Sequence, residues 1–317
     1  YSLQPLCPEI DAAKPRQTSH GVEICHWSEA VSVDRVGEVI IEAFACELPA
    51  AYLAAMAGMT PRPCWINLEY LTAEAWADAC HGMASPHPSL PLVKYFYFPG
   101  FSLATGGLLR ENDLLAARDA EIAQCIRHDT LEISLFCYAS APVGELLDIL
   151  AESPTAVRLH VAPGQPLAAV AAHFGGNGPW QCGALSVLPF EFLPQEDFDR
   201  LLWCCDINFV RGEDSFVRAQ WAANTFVWQA YRQADEAQLD KVDAFLQRYI
   251  AGLSATGANA AVDLFQAWNS GCGLRQAWES FLAARPEITT HNHHWAERLA
   301  GNRDLTEALV KFCAGKV

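Results

Sequence analysis

The chain has no apolar run approaching the roughly 18 residues of a membrane-spanning helix. A membrane is therefore not expected as a partner. Its first residues, Tyr1-Ser2-Leu3-Gln4-Pro5, have neither the basic region nor the apolar segment of a secretion signal. None of the 12 cysteines stands in a Cys-x-x-Cys pair. Most sit in apolar surroundings, as in Phe44-Ala45-Cys46, Leu135-Phe136-Cys137 and Trp203-Cys204-Cys205. They are expected to be reduced core residues of a cytoplasmic protein, with Cys204-Cys205 serving packing. Basic charge is scarce: 21 Lys and Arg stand against 37 Asp and Glu, a formal charge of −16. Without a basic footprint the chain is not expected to bind nucleic acid. The acidity suits a basic or arginine-bearing partner. Internal repeats and low-complexity tracts are absent too.

What is there is enough for two domains: 317 residues, 51% of them hydrophobic. Short apolar strands alternate with helical patterns. In the first part, strands are expected at residues 39–41, 64–68 and 94–98, and helices at 49–58 and 72–80. The second part repeats the rhythm, with strands at 132–138, 157–161, 185–188, 207–210 and 226–228. Its helices are expected at 145–151, 165–173, 195–204 and 215–223. Strands this apolar belong to sheets covered by helices on both faces, so the fold class is α/β with two doubly wound parallel sheets. Residues 111–129, charged and alanine-rich, read as a helical linker, and 100–107 as a flexible turn. The last third is all-helical. Leu239, Val242, Leu246 and Tyr249 form a core-facing stripe, and Asp304 caps a final helix.

One stretch carries the most chemistry. The apolar run Ile207-Asn208-Phe209-Val210 leads into Arg211-Gly212-Glu213-Asp214-Ser215, and a helical pattern leaves it. Such a strand–turn–helix joint aims backbone N–H groups and a positive dipole end beyond the strand, which suits phosphate. Two neighbouring strand ends, at Phe136-Cys137-Tyr138 and Phe192-Leu193-Pro194-Gln195, add aromatics and an amide. Together they suit a nucleotide in a cleft.

Arg211-Gly212-Glu213-Asp214-Ser215-Phe216-Val217-Arg218-Ala219-Gln220 resembles the signature of the protein-arginine rhamnosyltransferases that modify translation elongation factor P, the EarP family. Further matches are Ile40 through Pro49 (Ile-Ile-Glu-Ala-Phe-Ala-Cys-Glu-Leu-Pro), Asn67-Leu68-Glu69-Tyr70-Leu71, Phe98-Pro99-Gly100-Phe101, Gly106-Gly107-Leu108-Leu109-Arg110-Glu111 and Phe192-Leu193-Pro194-Gln195. The resemblance spans almost the whole chain. It implies a GT-B glycosyltransferase with two Rossmann-like domains facing across a cleft. Residues 1–125 would be the acceptor-binding domain, 126–290 the nucleotide-sugar domain, and 291–317 helices packing back on the first. The implied reaction moves L-rhamnose from dTDP-β-L-rhamnose to an arginine of elongation factor P with inversion.

By the same resemblance, Tyr138 and Phe192 wall the thymine and sugar-nucleotide, and Gln195 faces the base or ribose. Asp214 and Ser215 meet the pyrophosphate, Gly212 and Tyr231 belong to the donor site, and Arg211 and Glu213, also in the donor site, are needed for activity. The family opens with a strand and an Asp-Asn-x-Gly-Asp-type loop carrying a proposed catalytic aspartate. This chain starts past that loop, which is expected of an incomplete record of a longer protein. Thr225 and Arg232 also depart from the common family residues.

Each site residue has a plainer reading. Glu213 can complement the helix dipole, Asp214 and Ser215 can be ordinary N-caps, Tyr138 and Phe192 can be core aromatics, and Gln195 can simply begin its helix. Glu42, Glu47 and Glu69, at strand ends of the first domain, can meet an incoming arginine or be solvated loop acids. His291-Asn292-His293-His294 lacks a sustained ligand pattern. No metal or other cofactor is expected, because helix-start N–H groups can stabilise a departing diphosphate. Two alternatives remain open: another sugar or acceptor on the same donor site, or a catalytically incomplete donor-binding module.

Overall fold

The computed structural model describes residues 10–26, 36–44, 46–125, 129–232 and 237–316. They form two compact units, Tyr1–Glu111 with Ala300–Val317, and Asn112–Leu299. The division falls at residues 111 and 112, before the helical segment read as a linker, which belongs to the second unit.

The first unit opens with a hairpin, β1 (Arg16–Ser19) and β2 (Val22–Cys25), turned by His20 and Gly21, both at positive φ. Its main sheet joins β3 (Val39–Ala43), β4 (Cys64–Leu68) and β6 (Val93–Tyr97) in parallel. β5 (Ala84–Pro86) adds antiparallel to β6 at the edge. Helix α1 (Ala50–Gly58) crosses from β3 to β4 and drives Met56 against Ile40, Trp65 and Leu92. Helix α2 (Ala75–Cys80) starts later than the residue 72 expected from sequence. The reason is local: Thr72 bridges to Gly100, and its hydroxyl accepts the Glu74 N–H at 3.1 Å, which holds it outside the helix.

The 100–107 segment is not a loose turn. Gly100 N–H reaches Gly107 O at 3.0 Å, Gly106 N–H reaches Phe98 O at 2.8 Å, and Ser102 Oγ donates to Asp78 at 2.7 Å.

In the second unit, α3 (Leu114–Ile122) precedes a six-stranded sheet of order β12-β11-β7-β8-β10-β9. The strands are β7 (Leu131–Leu135), β8 (Val157–Val161), β9 (Trp180–Cys182), β10 (Leu185–Pro189), β11 (Ile207–Arg211) and β12 (Thr225–Gln229). All but β9 run parallel. Between them lie α4 (Val143–Ala151), α5 (Gln165–Phe174), α6 (Gln195–Cys204) and α7 (Asp214–Ala222). Then α8 (Ala237–Tyr249), α9 (Ala255–Ser270) and α10 (Leu274–Ala300) close over β11 and β12 with aromatic rings. Phe209 meets Trp268 at 4.4 Å, and Phe216 stacks on Trp228 at 4.1 Å with Phe245 edge-on. The chain ends in α11 (Leu305–Ala314), capped by Asp304, which accepts the Thr306 and Glu307 N–H groups. α11 belongs to the first unit, where Phe312 packs on Tyr95 and Tyr97.

The cysteine reading needs correction. Cys125 and Cys204 are disulfide-bonded, tying the segment after α3 to the last turn of α6. They are 79 residues apart, so no spacing pattern announces the pair. Cys204 is therefore a cross-link and only Cys205 is packing. Cys25, Cys46, Cys182 and Cys272 are exposed rather than core. No helix among the described residues is long and apolar enough to cross a membrane.

Candidate functional site

In the second unit the chain winds outward from β7 through β8 to β10, then returns to the other side of β7 for β11 and β12. Connections therefore leave the carboxyl ends of β7 and β11 in opposite directions. Open α/β sheets leave a binding crevice at such a switch point. Two segments emerge there, Phe136-Cys137-Tyr138 and Arg211-Gly212-Glu213-Asp214-Ser215.

β11 is buried until Arg211, and Gly212 at φ +65° turns the chain into α7. Ser215, 5% exposed, closes this turn. Its hydroxyl donates to Arg211 O at 2.6 Å and accepts the Arg211 N–H at 3.1 Å. The hydroxyl is thus used inside the turn, and the backbone N–H is what Ser215 can offer an anion. Glu213 occupies the cap position without a side-chain capping bond, and Asp214 is exposed in the first helical turn. A helix start without a side-chain cap, with its dipole and N–H groups directed outward, is suited to phosphate.

The loop is held from β12. Gly212 N–H reaches Gln229 O at 3.3 Å, and Trp228 Nε1 donates to Gly212 O at 2.7 Å. A Cβ on residue 212 would lie 3.1 Å from the Tyr138 hydroxyl, so glycine suits both the φ and the space.

The Arg211 guanidinium lies over two rings, 4.3 Å from the centroid of Phe136 and 4.6 Å from that of Tyr138. One of its nitrogens reaches Gln165 Oε1 at 3.4 Å. Burial lowers the Arg211 pKa, and Tyr138 and Cys137 oppose the shift; the side chain remains a cation. Burial in turn raises the Tyr138 phenol above its ordinary value; Arg211 opposes this, while Tyr231 and Glu213 add to it. The Cys137 thiol is pushed up to about 12 by burial despite Arg211, which makes it inert rather than nucleophilic. Tyr231, 67% exposed, sets its ring edge-on to Tyr138 at 5.5 Å.

Phe192 is 57% exposed on the loop after β10, and Gln195 opens α6. Gln195 Nε2 donates to Asp199 at 3.0 Å, and Asp199 forms a buried ion pair with Arg218 at 3.3 Å. β8 separates β10 from β7, which places the end of β10 about 10 Å along the same carboxyl edge, while α6 returns toward β7, with Phe198 edge-on to Phe136 at 6.0 Å. Direct contacts therefore join Tyr138, Arg211, Gly212, Ser215 and Tyr231, while Phe192 follows a strand two places away and Gln195 is linked to α7 through Asp199 and Arg218. Sequence reasoning missed Gln165 and Gln229. Gln229, 2% exposed, accepts the Tyr138 N–H at 2.7 Å and donates to Ser140 Oγ at 3.2 Å. A glutamine ending an otherwise apolar strand was the available signal.

The three acids of the first unit part company. Glu42 is 4% exposed and already engaged, by Lys94 Nζ at 3.3 Å and Trp65 Nε1 at 3.1 Å. That makes it a structural carboxylate rather than one awaiting a guanidinium. Glu47 is exposed, and Glu69, half-buried, accepts a hydrogen bond from Asn67. In the 291–294 run, His291 Nε2 contacts Tyr249 O at 2.6 Å and Asn292 accepts from the Tyr249 hydroxyl, which is helix-packing chemistry.

A family model described as Elongation-Factor P (EF-P) rhamnosyltransferase EarP matches residues 1–314. The chain belongs to this family. It is similar to a protein-arginine rhamnosyltransferase of Pseudomonas putida, 43% identical over 98% of this chain and 87% of that one. A protein-arginine rhamnosyltransferase of Pseudomonas aeruginosa is 40% identical over the same shares. A solved structure described as the structural basis for EarP-mediated arginine glycosylation of translation elongation factor EF-P aligns with a TM-score of 0.61 at 38% identity. It covers 69% of this chain and 75% of that one. Two α/β units with mainly parallel sheets are what a GT-B member of this family requires.

Proposed function

We propose that the chain is an inverting glycosyltransferase that moves L-rhamnose from dTDP-β-L-rhamnose to one arginine side chain of EF-P, in the cytoplasm. The reading is carried by the family match across residues 1–314. The switch-point geometry supports it by offering a diphosphate the start of α7 and the Arg211 cation.

In the proposed step the bond from the anomeric carbon to the diphosphate breaks and a bond to a guanidinium nitrogen forms on the opposite face. The nitrogen loses a proton to a carboxylate, and dTDP departs. Gly212, Asp214 and Ser215 would hold the diphosphate through the turn and helix-start N–H groups, without a metal. Tyr138, Tyr231 and Phe192 would wall the nucleotide and sugar, and Gln195 would face the base or ribose. Arg211 would balance the leaving charge. Glu213, close enough to Tyr138 to act on its phenol, is the carboxylate of the turn suited to orient the guanidinium.

The test is to incubate the full-length protein with EF-P and dTDP-rhamnose, with and without a chelator, and read intact mass. A gain of one deoxyhexose on EF-P, abolished by an arginine-to-lysine change at the acceptor position and unaffected by chelator, is expected. Donor binding with no mass gain would refute the transfer reading.

A further inference from the structure

The Cys125–Cys204 bond sits where the chain enters both strands that carry the crevice. Cys125 precedes β7, whose carboxyl end leads into Phe136 and Tyr138, and Cys204 precedes β11, whose carboxyl end is Arg211. Cys125 stays on the turn that closes α3, because its N–H bonds to Glu121 O at 3.0 Å. α3 also holds α7: Arg118 Nη1 donates to Trp221 O at 2.8 Å, satisfying a carbonyl of that helix's last turn. α6 reaches the crevice with its other end. There Gln195 starts the helix, Phe198 meets Phe136 edge-on at 6.0 Å, and Asp199 pairs with Arg218 of α7. The disulfide thus ties one brace, α3, to the helix that supports both lips of the donor site.

Neither cysteine is buried, so a small thiol or disulfide can reach the bond. The neighbouring thiol cannot intervene. Cys205 is 2% exposed, and burial raises its thiol far above the ordinary range, leaving it without the thiolate that exchange needs. Disulfides are rare in cytoplasmic proteins, and those that form there are usually transient or redox-sensing; accessible ones are the labile ones. Resting on the proposed cytoplasmic setting and donor site, we propose that Cys125 and Cys204 are a reversible oxidation site that takes a low-molecular-weight disulfide and tightens the donor site when oxidised. One cysteine thiolate attacks a sulfur of the small disulfide, whose S–S bond breaks and releases one small thiol. The other cysteine then attacks the protein sulfur of the mixed disulfide, closing the bond between 125 and 204 and releasing the second small thiol. Two electrons pass from the protein pair to the small disulfide, and the two protons leave with the released thiols. Excess small thiol runs the same steps backwards and frees α6 from α3. The linked form binds better because the elements that meet the nucleotide are already held in place.

The experiment equilibrates the full-length protein in glutathione buffers from reduced to oxidised. The linked fraction is read by alkylation and peptide mass, and dTDP affinity by calorimetric titration. The oxidised form is expected to bind dTDP about fivefold more tightly than the reduced form. Linkage demands the same factor in reverse, so saturating dTDP is expected to raise the ratio of glutathione squared to glutathione disulfide at half-oxidation about fivefold. Cys125→Ser/Cys204→Ser retains the exposed Cys25, Cys46, Cys182 and Cys272. It is expected to bind dTDP like the reduced parent in every buffer. A pair that stays linked under excess glutathione, equal dTDP affinity in the two parent forms, or a redox response that survives in the double variant overturns the switch. Binding of dTDP by neither form would instead sink the donor-site reading, and the coupling with it.

Discussion

Gln229 accepts the backbone N–H of Tyr138 at 2.7 Å, reaching from the end of β12 past β11 to the segment that leaves β7. Its backbone oxygen also takes the Gly212 N–H, and its amide nitrogen reaches Ser140. One residue thus sets both lips of the switch-point crevice. Gln229→Met keeps the bulk and leaves the Tyr138 N–H without its acceptor, at a cost of about 1–3 kcal/mol. Calorimetric titration with dTDP is expected to show roughly tenfold weaker binding, with EF-P affinity unaltered. Wild-type dTDP affinity in this variant would remove Gln229 from the donor site.

Gly212 and Gly271 make an internal comparison. Both have positive φ, +65° and +77°. A Cβ at 271 meets open space, whereas one at 212 approaches the Tyr138 hydroxyl. Alanine at either position is expected to cost about 1 kcal/mol in backbone strain. Only Gly212→Ala is expected to lose dTDP affinity as well. Parallel urea melts and dTDP titrations separate the two effects.

Acid should loosen the first unit through His81. Burial holds its pKa below the ordinary 6.5, and its Nδ1 accepts the Phe98 N–H at 3.1 Å, which needs an unprotonated ring. A depressed folded pKa contributes stability that is present above about 6.5 and is lost as pH falls through the folded value. Urea midpoints recorded from pH 7.5 to 5 are expected to fall less steeply for His81→Gln than for the parent. Equal slopes would show that His81 is not the group responsible.

The Cys125–Cys204 cross-link closes a long loop, for which an effect on stability of about 2–4 kcal/mol is typical. Reductant is expected to lower the Tm of the parent chain and leave the Cys125→Ser/Cys204→Ser double variant unmoved. Non-reducing peptide mapping should recover the linked pair. Free alkylation of both cysteines without reductant would contradict the bond.

Much of this was readable in the chain. β4, β8 and α6 have the ends expected from apolar runs and helix signals, because both faces of those strands are covered and the pattern is unbroken. The joint at Arg211 was legible for the same reason: burial stops where the glycine turns. β1, β2, β5 and β9 were not, since they are short, largely exposed edges without an apolar stripe. Nor was the stacking of Arg211 on Phe136 and Tyr138, a tertiary contact between segments more than 70 residues apart. Ser215 was legible as a turn residue, but whether its hydroxyl faced a ligand or its own loop was decided by the geometry at Gly212.

The first unit is stitched shut by the end of the chain. Leu305 N–H bonds to Leu108 O at 2.9 Å, Arg110 donates to Ala300 O, and Phe312 lies against Tyr95 and Tyr97. A ribosome adding roughly 5–20 residues per second exposes those tyrosines for ten seconds or more before Phe312 is made. Residues 112–299 can fold while they wait. The unit begun before the other is finished after it, and a nascent chain stalled between residues 299 and 305 would display an aromatic face for chaperones to hold.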